Sequence, residues 1–311
     1  MADFKILYLG AADIYEKLNY PDATKLVYIS NADELQKEII DAYAIVDGSM
    51  KYKIMDDTIK TALNLKMIST ATTGSDHIEL REINKRNIIV RTLKEDKELL
   101  QNITPAAELS WALLLSCARK LPSAFDHVKN GKWSRECFPG ILIRGKQLGL
   151  IGCGRIGSWM GKYGNAFGMK VVGYDPYIDK FPSHIEKVEL EKLLSTSDFI
   201  SLHIHLTEEN TNFLSRERLL IIKENAVIIN TSRGGLIDEA ALLECLQNKR
   251  INAAGLDVLA TEPVINDHPL VNYARKHDNL IITPHCGGFS PDTVLIVTQH
   301  ALNKIITYLG Q

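Results

Sequence analysis

The chain has 311 residues, 45% of them hydrophobic and 24% charged, and its formal net charge is −2. This composition is typical of a soluble globular protein with room for two domains, and the charge favours neither a nucleic-acid partner nor an anionic membrane. No apolar run approaches the ~20 residues that span a bilayer, and the N-terminus lacks a secretion-signal pattern. The five scattered cysteines predict reduced thiols in a cytoplasmic protein.

Short apolar runs alternate with amphipathic stretches, which predicts an α/β fold with parallel strands. In the first hundred residues, strands are predicted at 4–9, 26–29, 44–47, 66–69 and 87–90. Helical patterns such as those at 33–40 and 54–63 lie between the strands. This series predicts a five-stranded, doubly wound unit.

A long helix is predicted over 104–121, with Thr104 as its N-cap and Pro105 in its first turn. The helix is apolar on more than one face, so we expect it to be buried against another domain or subunit. The irregular, aromatic stretch that follows at 127–146 could form an arm over a partner.

A second α/β series begins at residue 147. Its predicted strands are 148–152, 170–174, 198–203, 226–231, 252–257 and 279–283. The tail at 290–309 has the apolar spacing of one helix. That helix could cross back to the first unit, which would make the first unit discontinuous in sequence.

The second series opens on a glycine motif, LIGCGRIG at 150–157, in which Gly152, Gly154 and Gly157 have the spacing G-x-G-x-x-G. A predicted strand precedes the motif, a helix over 155–168 follows it, and Asp175 closes the next strand. This arrangement predicts a dinucleotide site, rather than a glycine-rich turn without a ligand. The Asp175 carboxylate would bind the ribose hydroxyls and repel a 2′-phosphate, so NAD is favoured over NADP.

Two later strand ends carry reactive side chains. Arg233 precedes two glycines and could hold a carboxylate in a planar fork, although an ordinary surface arginine is the alternative. His285 also stands between a strand and two glycines, where a histidine is often merely solvated. If Glu262 accepts a hydrogen bond from one ring nitrogen, it would stabilise the imidazolium and leave the other nitrogen for proton exchange.

The stretches LGLIGCGRIG, NTSRGGLIDEAAL, GLDVLATEP and TPHCGG, in this order, resemble the NAD-dependent D-isomer-specific 2-hydroxyacid dehydrogenases. The resemblance implies hydride transfer between NAD(H) and C2 of a 2-hydroxy or 2-oxo acid. It implies Arg233 as the anchor of the substrate carboxylate, His285 as the acid/base and Glu262 as its partner. Formate dehydrogenases of this superfamily have Gln at the position of Glu262, which argues against formate oxidation.

The same resemblance implies the residues that bind cofactor and substrate, with Asp257 near the nicotinamide carboxamide. The predicted cofactor-binding residues are Gly152, Gly154, Arg155, Ile156, Gly157, Asp175, His203, Thr231, Ser232, Asp257, His285 and Gly287. The predicted substrate-binding residues are Thr72, Thr73, Gly74, Arg233 and His285. Without the resemblance, the first three would be interpreted as a plain turn.

No metal site is predicted. His203 and His205 form an H-x-H pair, but no third ligand is near in the sequence and hydride chemistry needs no metal. We interpret both histidines as structural or as lining the cofactor site.

The predicted fold class is α/β, with two doubly wound parallel-sheet domains and a cleft between them. A flavodoxin-like substrate-binding domain would comprise 1–101 and 290–311, and a Rossmann NAD-binding domain would comprise 102–289. The resemblance also suggests a homodimer formed through the NAD-binding domain.

Two alternative functions stay open. The first is D-3-phosphoglycerate dehydrogenase of serine synthesis, a branch that commonly has an arginine where this chain has Asp47, although Lys51 and Lys53 could substitute. The second is an NAD-regulated, corepressor-like binding protein. The intact set of Arg233, Glu262 and His285 favours an enzyme over that binding protein.

Overall fold

The computed structural model describes residues 4–49, 52–75 and 77–310. The chain divides into two compact units. Unit 1 comprises Met1–Ile103 and Phe289–Gln311, and unit 2 comprises Thr104–Gly288. The predicted fold class of two doubly wound parallel-sheet domains is confirmed.

The described part of unit 1 contains a five-stranded parallel sheet. Its strands are β1 (Phe4–Leu9), β2 (Thr24–Ile29), β3 (Ala44–Asp47), β4 (Met67–Thr70) and β5 (Ile89–Arg91). The strand order is β2-β1-β3-β4-β5, which is the flavodoxin-like order. The predicted strands are confirmed, and their ends shift by at most two residues. The connecting helices are α1 (Ala12–Tyr15), α2 (Ala32–Glu38), α3 (Asp56–Thr61), α4 (Arg81–Lys85) and α5 (Lys97–Leu100).

The strands of unit 1 are mostly apolar, because helices cover both faces of the sheet. Successive side chains of a strand point to opposite faces, so β1 contributes to two cores. Ile6 and Tyr8 lie in one core, and Leu7 and Leu9 lie in the other.

The described part of unit 2 contains a seven-stranded parallel sheet. Its strands are β6 (Gln147–Ile151), β7 (Lys170–Tyr174), β8 (Glu186–Lys187), β9 (Phe199–Leu202), β10 (Val227–Asn230), β11 (Ala253–Leu256) and β12 (Leu280–Ile282). The strand order is β12-β11-β10-β9-β6-β7-β8. The chain therefore builds outward from β6 to one edge and then returns to the other side of β6 at β9. In such sheets ligands bind at this reversal, outside the carboxyl ends of the strands.

The helices of unit 2 include one break that the sequence did not predict. They are α6 (Pro105–Arg119), α7 (Leu121–Lys129), α8 (Arg155–Ala166), α9 (Leu190–Thr196), α10 (Arg216–Ile221), α11 (Glu239–Gln247) and α12 (Pro269–Ala274). The prediction of one helix through residue 121 was wrong, because α6 ends where Lys120 adopts a left-handed φ of 52°. The next helix then starts with a proline in its first turn, and it covers the start of the stretch predicted as irregular.

The C-terminal helix α13 (Pro291–Leu309) belongs to unit 1 and confirms the helix predicted at 290–309. Its buried residues recur at helical spacing and pack in the same core as Ile6 and Tyr8. The apolar residues in this core are Val294, Val297, Ala301, Leu302 and Ile305, and Thr298 is buried as well. Over the described ranges, no helix has both the length and the apolar character that crossing a membrane requires.

Candidate active site

The predicted cofactor and catalytic residues of unit 2 follow the carboxyl ends of its central strands. The glycine motif follows β6, Asp175 follows β7, and Arg233 follows β10. Asp257 follows β11, and His285 comes shortly after β12. Because all these strands are parallel, their carboxyl ends share one edge of the sheet.

The three glycines of the motif differ in what a Cβ atom at each position would contact. Gly152 has a left-handed φ of +89°, and a Cβ there would lie 2.4 Å from the carbonyl oxygen of His203. A Cβ on Gly157 would lie 2.0 Å from the carbonyl oxygen of Gly152, so α8 packs directly on the turn. A Cβ on Gly154 would meet nothing within 4 Å, so this residue borders open space at the N-terminus of α8.

Asp175 is held beside this turn by two backbone donors. Its Oδ2 accepts a hydrogen bond from the Cys153 N–H at 2.9 Å, and its Oδ1 accepts one from the Tyr177 N–H at 3.0 Å. Arg155 and Ile156 form the first turn of α8, where the helix offers N–H groups and a partial positive charge to phosphate. The open space at Gly154, the helix N-terminus and the fixed carboxylate together fit a dinucleotide.

His203 lies just after β9, against the glycine turn. Its Nε2 lies 2.8 Å from the Ser201 hydroxyl, and burial lowers the pKa of the ring to about 3. Its Nδ1 is buried and has no hydrogen-bond partner in the described part of the protein. His205 is exposed, and its carbonyl oxygen accepts a hydrogen bond from the Asn210 side chain. Among the residues that the structure describes, no three His, Cys, Asp or Glu side chains form a metal-binding group.

The turn after β10 is tied to its neighbours by hydroxyl groups. The Thr231 hydroxyl lies 2.6 Å from the Ser110 hydroxyl on α6. The Ser232 hydroxyl donates to the Leu202 carbonyl at 2.7 Å. Both residues were predicted to bind the cofactor, and these contacts fix the backbone of the turn that carries Arg233.

Asn230 and Gly234 set the position of Arg233. From the sequence, Gly234 is noted only as one of the two glycines after Arg233, and Asn230 is not singled out. The Asn230 amide donates to the Arg233 carbonyl at 2.9 Å, as side chains do in tight turns. A Cβ on Gly234 would lie 2.1 Å from the Leu259 carbonyl carbon. The turn thus passes directly against the segment that leads to Glu262, and the charge of Arg233 contributes to lowering the pKa of Glu262.

Glu262 and His285 form the predicted pair. Glu262 Oε1 lies 2.5 Å from His285 Nδ1, and Glu262 Oε2 accepts a hydrogen bond from the Leu259 N–H at 3.2 Å. Burial disfavours the charged carboxylate, but His285, the Leu259 N–H and the charge of Arg233 together outweigh burial, so the pKa of Glu262 is lowered. The two side chains are 32% and 37% exposed, which leaves room for a ligand to approach.

Asp257 holds the loop that carries His285, which is a role that the sequence did not reveal. Its buried carboxylate accepts hydrogen bonds from the Thr283 hydroxyl at 2.5 Å, the Cys286 N–H at 2.9 Å and the Gly287 N–H at 2.7 Å. Its carbonyl oxygen accepts one from the His285 N–H at 2.8 Å. His285 itself has a left-handed φ of 52°, which a non-glycine residue keeps only when its surroundings enforce it.

The remaining predicted substrate residues lie in unit 1, in the turn after β4. The Thr72 hydroxyl donates to the Gly74 carbonyl at 2.7 Å, and the Thr72 carbonyl accepts from the Leu93 N–H at 2.8 Å. Within the described ranges, the backbone N–H groups of Thr73 and Gly74 have no hydrogen-bond acceptor. That these groups bind substrate stays a prediction.

The positions that bear on phosphate recognition also lie in unit 1. Asp47 is buried and pairs with His77 at 2.6 Å. Lys53 is exposed, and Lys51 lies outside the described residues.

Comparison with known proteins gives one consistent family. The family described as "D-isomer specific 2-hydroxyacid dehydrogenase, NAD binding domain" matches residues 111–287. The D-3-phosphoglycerate dehydrogenase of Methanocaldococcus jannaschii is 41% identical over 82% of this chain and 48% of its own length, so this chain spans about half of that relative. The hydroxypyruvate reductase of Thermotoga maritima is 37% identical over 89% of this chain and 88% of its own length.

A solved structure agrees with these relatives. The D-lactate dehydrogenase of Aquifex aeolicus, solved with NAD and lactic acid, has a TM-score of 0.82 and is 26% identical. The match covers 98% of this chain and 95% of the other.

The glycine turn generates a stability prediction. Gly157→Ala forces a Cβ against the Gly152 carbonyl and should destabilise unit 2 by about 1–3 kcal/mol, the range for an overpacked site. Gly154→Ala adds a Cβ to open space and should leave the melting temperature of the ligand-free protein unchanged. Thermal unfolding of both variants beside the parent measures this, and equal melting temperatures for the two would contradict it.

Proposed function

Because the chain belongs to the D-isomer specific 2-hydroxyacid dehydrogenase family, we propose that it transfers a hydride between NAD(H) and C2 of a D-2-hydroxy or 2-oxo acid. The observation that carries this proposal is the contact of Glu262 with His285 next to Arg233, on the sheet edge that also carries the glycine turn. A base, its carboxylate partner and a cation for the substrate are the groups that this reaction needs.

The cofactor in this proposal is NAD, which supplies or accepts the hydride at its nicotinamide ring when bound. The N-terminus of α8 and the space at Gly154 would hold the pyrophosphate. Asp175 would accept hydrogen bonds from the adenosine ribose and repel a 2′-phosphate. Its two backbone donors support this preference for NAD, because they hold the carboxylate in place.

The chemical step is assigned to side chains of this chain. The planar guanidinium of Arg233 would hold the substrate carboxylate through two parallel hydrogen bonds and polarise the neighbouring carbonyl. In reduction, His285 Nε2 would give its proton to the substrate O2, and in oxidation it would take that proton back. Glu262 fixes the ring through Nδ1, and its lowered pKa keeps it ionised, so that it stabilises the imidazolium.

The substrate class that we propose is a small 2-oxo acid without a phosphate group. The presence of Glu262 is evidence for a reaction that exchanges a proton with a 2-oxo acid, and against the oxidation of formate. At the position where a cation would serve a phosphate, Asp47 is instead a buried carboxylate paired with His77. The extent of the match to the hydroxypyruvate reductase favours the same class. The second candidate is phosphoglycerate oxidation, which the name of the archaeal relative supports.

A binding protein that senses NAD without catalysis is the alternative of another class. The contact between His285 and Glu262 argues against it, because a sensor of NAD has no need of a proton donor. A panel of phosphorylated and unphosphorylated 2-oxo acids, with NADH consumption as the readout, separates all three functions. If none of the 2-oxo acids in the panel leads to consumption of NADH, the result would favour the binding protein.

The proposed assembly is a homodimer formed through unit 2. The segment 121–142 exposes an unusual number of large apolar side chains, which mark interaction surfaces. They are Leu121, Phe125, Val128, Trp133 and Leu142.

A cytoplasmic location is part of the same proposal, supported by the fact that all five cysteines are free thiols.

The dimer is tested by sedimentation. At micromolar concentration the parent should sediment at twice the chain mass of 34.8 kDa. The double substitution Phe125→Glu with Trp133→Glu places charges on the 121–142 surface and should shift the protein to monomers. Leu63→Glu alters an equally exposed apolar residue of unit 1, outside this surface, and should stay dimeric. A monomeric parent would contradict the proposal.

The proton step is tested by pH profiles of reductive kcat/KM. Because the pKa of Glu262 is lowered, its carboxylate is charged throughout the neutral range, and the reductive activity of the parent should fall toward high pH, where the proton for the substrate is lost. Glu262→Gln keeps the shape but removes the charge that stabilises the imidazolium. Its loss of activity should therefore begin at lower pH than in the parent.

His285→Ala provides the reference for this experiment and should lower activity by roughly 10²- to 10⁴-fold in both directions. Arg233→Lys keeps the charge but loses the fork, so it should raise the KM for the 2-oxo acid without moving the profile. A Glu262→Gln profile that superimposes on the parent profile after scaling would show that another group donates the proton.

A further inference from the structure

Both ends of the turn after β4 converge on one residue, Asp47. At the start of the turn, the Ala71 N–H donates to the Asp47 carbonyl at 2.7 Å. Beyond its far end, His77 Nε2 contacts Asp47 Oδ2 at 2.6 Å. The other carboxylate oxygen accepts a hydrogen bond from the Ser49 N–H at 3.2 Å. Asp47 therefore connects the carboxyl end of β3 to the segments that enter and leave residues 72–75, called here the 72–75 loop.

The contact between Asp47 and His77 is shielded from water. The side chains of Asp47 and His77 are 0% and 6% exposed. Removing two ionisable groups from water is expensive, and such a pair seldom adds stability over well-packed apolar residues. His77 Nδ1 is also buried and finds no hydrogen-bond partner in the described residues. The pair is therefore better explained by the geometry that it imposes than by the stability that it adds.

The pair of Asp47 and His77 constrains the geometry of the 72–75 loop. The Thr72 hydroxyl bridges to the Gly74 carbonyl, and the Leu93 N–H anchors the Thr72 carbonyl. The Thr72 and Gly74 carbonyls are thus engaged, whereas the N–H groups of Thr73 and Gly74 have no acceptors in the described ranges. Adjacent free N–H groups are the donors from which proteins build binding sites for anions.

We propose that Asp47 and His77 form a clip that presets the 72–75 loop to receive the carboxylate of the 2-oxo acid. This inference rests on the proposed function, in which that carboxylate is a substrate group. Asp47 and His77 are positioning residues, because they act through the loop rather than on the reacting atoms. Holding the loop in its binding geometry lowers the ordering cost that the substrate otherwise meets, which improves its affinity.

The test compares Asp47→Ala, His77→Ala and the double variant with the parent. Each single variant should raise the KM for the 2-oxo acid by about tenfold or more, while kcat stays within about threefold. The dissociation constant of NADH, measured by fluorescence titration, should not change, since the glycine turn lies in unit 2. The double variant should be no worse than either single variant, because one broken contact already releases the loop.

A second measurement removes the dependence on turnover. Oxamate, an unreactive mimic of a 2-oxo acid, is titrated into the NADH complex of each protein, and its dissociation constant should rise in step with KM. Asp47→Asn provides a milder variant in case the alanine variants do not fold. Its amide can still accept from the Ser49 N–H, but it no longer offers His77 a carboxylate.

His300→Ala is the matched control, because it breaks another Asp–His contact of unit 1. His300 Nε2 lies 2.9 Å from Asp96 Oδ1, and this contact joins α13 to the segment before α5. The control should keep the parental KM. Folded clip variants with parental KM and parental oxamate affinity would overturn the clip and leave the proposed function standing. A parent that reduces no 2-oxo acid and binds no oxamate would overturn both.

Discussion

The buried carboxylate of Asp257 is the interaction on which the proposed catalytic edge of unit 2 depends. Three donors from the segment after β12 converge on it, and its carbonyl fixes the His285 N–H. A buried carboxylate without such donors would be very costly, so the loop and the carboxylate require each other. The loop thereby holds His285 in a left-handed conformation, from which Nδ1 meets Glu262.

The second constraint is that backbone segments approach each other closely at two places along this edge of the sheet. Glycine makes both approaches possible. Gly157 lets α8 pack on the turn after β6, and Gly234 lets the turn after β10 pass against the segment after β11. In each case a Cβ would overlap a backbone atom. These approaches bring the N-terminus of α8 and the Arg233 turn to fixed positions, while Gly154 leaves the space that a cofactor needs.

The strands and the main site residues could be predicted from the sequence because their signals are local. Strands buried on both faces are continuous apolar runs, and the glycine motif, Arg233 and His285 stand directly after such runs. The strand β8 was missed because its two residues are both exposed and carry no apolar pattern. The break at Lys120 was missed because the apolar spacing continues across it.

The supporting residues could not be predicted, because they act through partners distant in sequence. Asp257 meets a segment 26 or more residues away, and Asp47 meets His77 30 residues away. A lone aspartate at a strand end is compatible with a ligand contact, a turn or a buried pair. Only the tertiary structure distinguishes these three roles. For Asp257, the family resemblance implies a contact with the cofactor, and the structure shows that Asp257 also supports the loop that carries His285.

The central claim is that this chain moves a hydride to C2 of a 2-oxo acid and gives the D-isomer. The most direct measurement incubates the protein with the 2-oxo acid that is consumed fastest and with NADH in which both hydrogens at C4 are replaced by deuterium. NMR and chiral chromatography then locate the label and identify the isomer. Deuterium should appear at C2 of the D-2-hydroxy acid. An L-product, or a product without deuterium at C2, would contradict it.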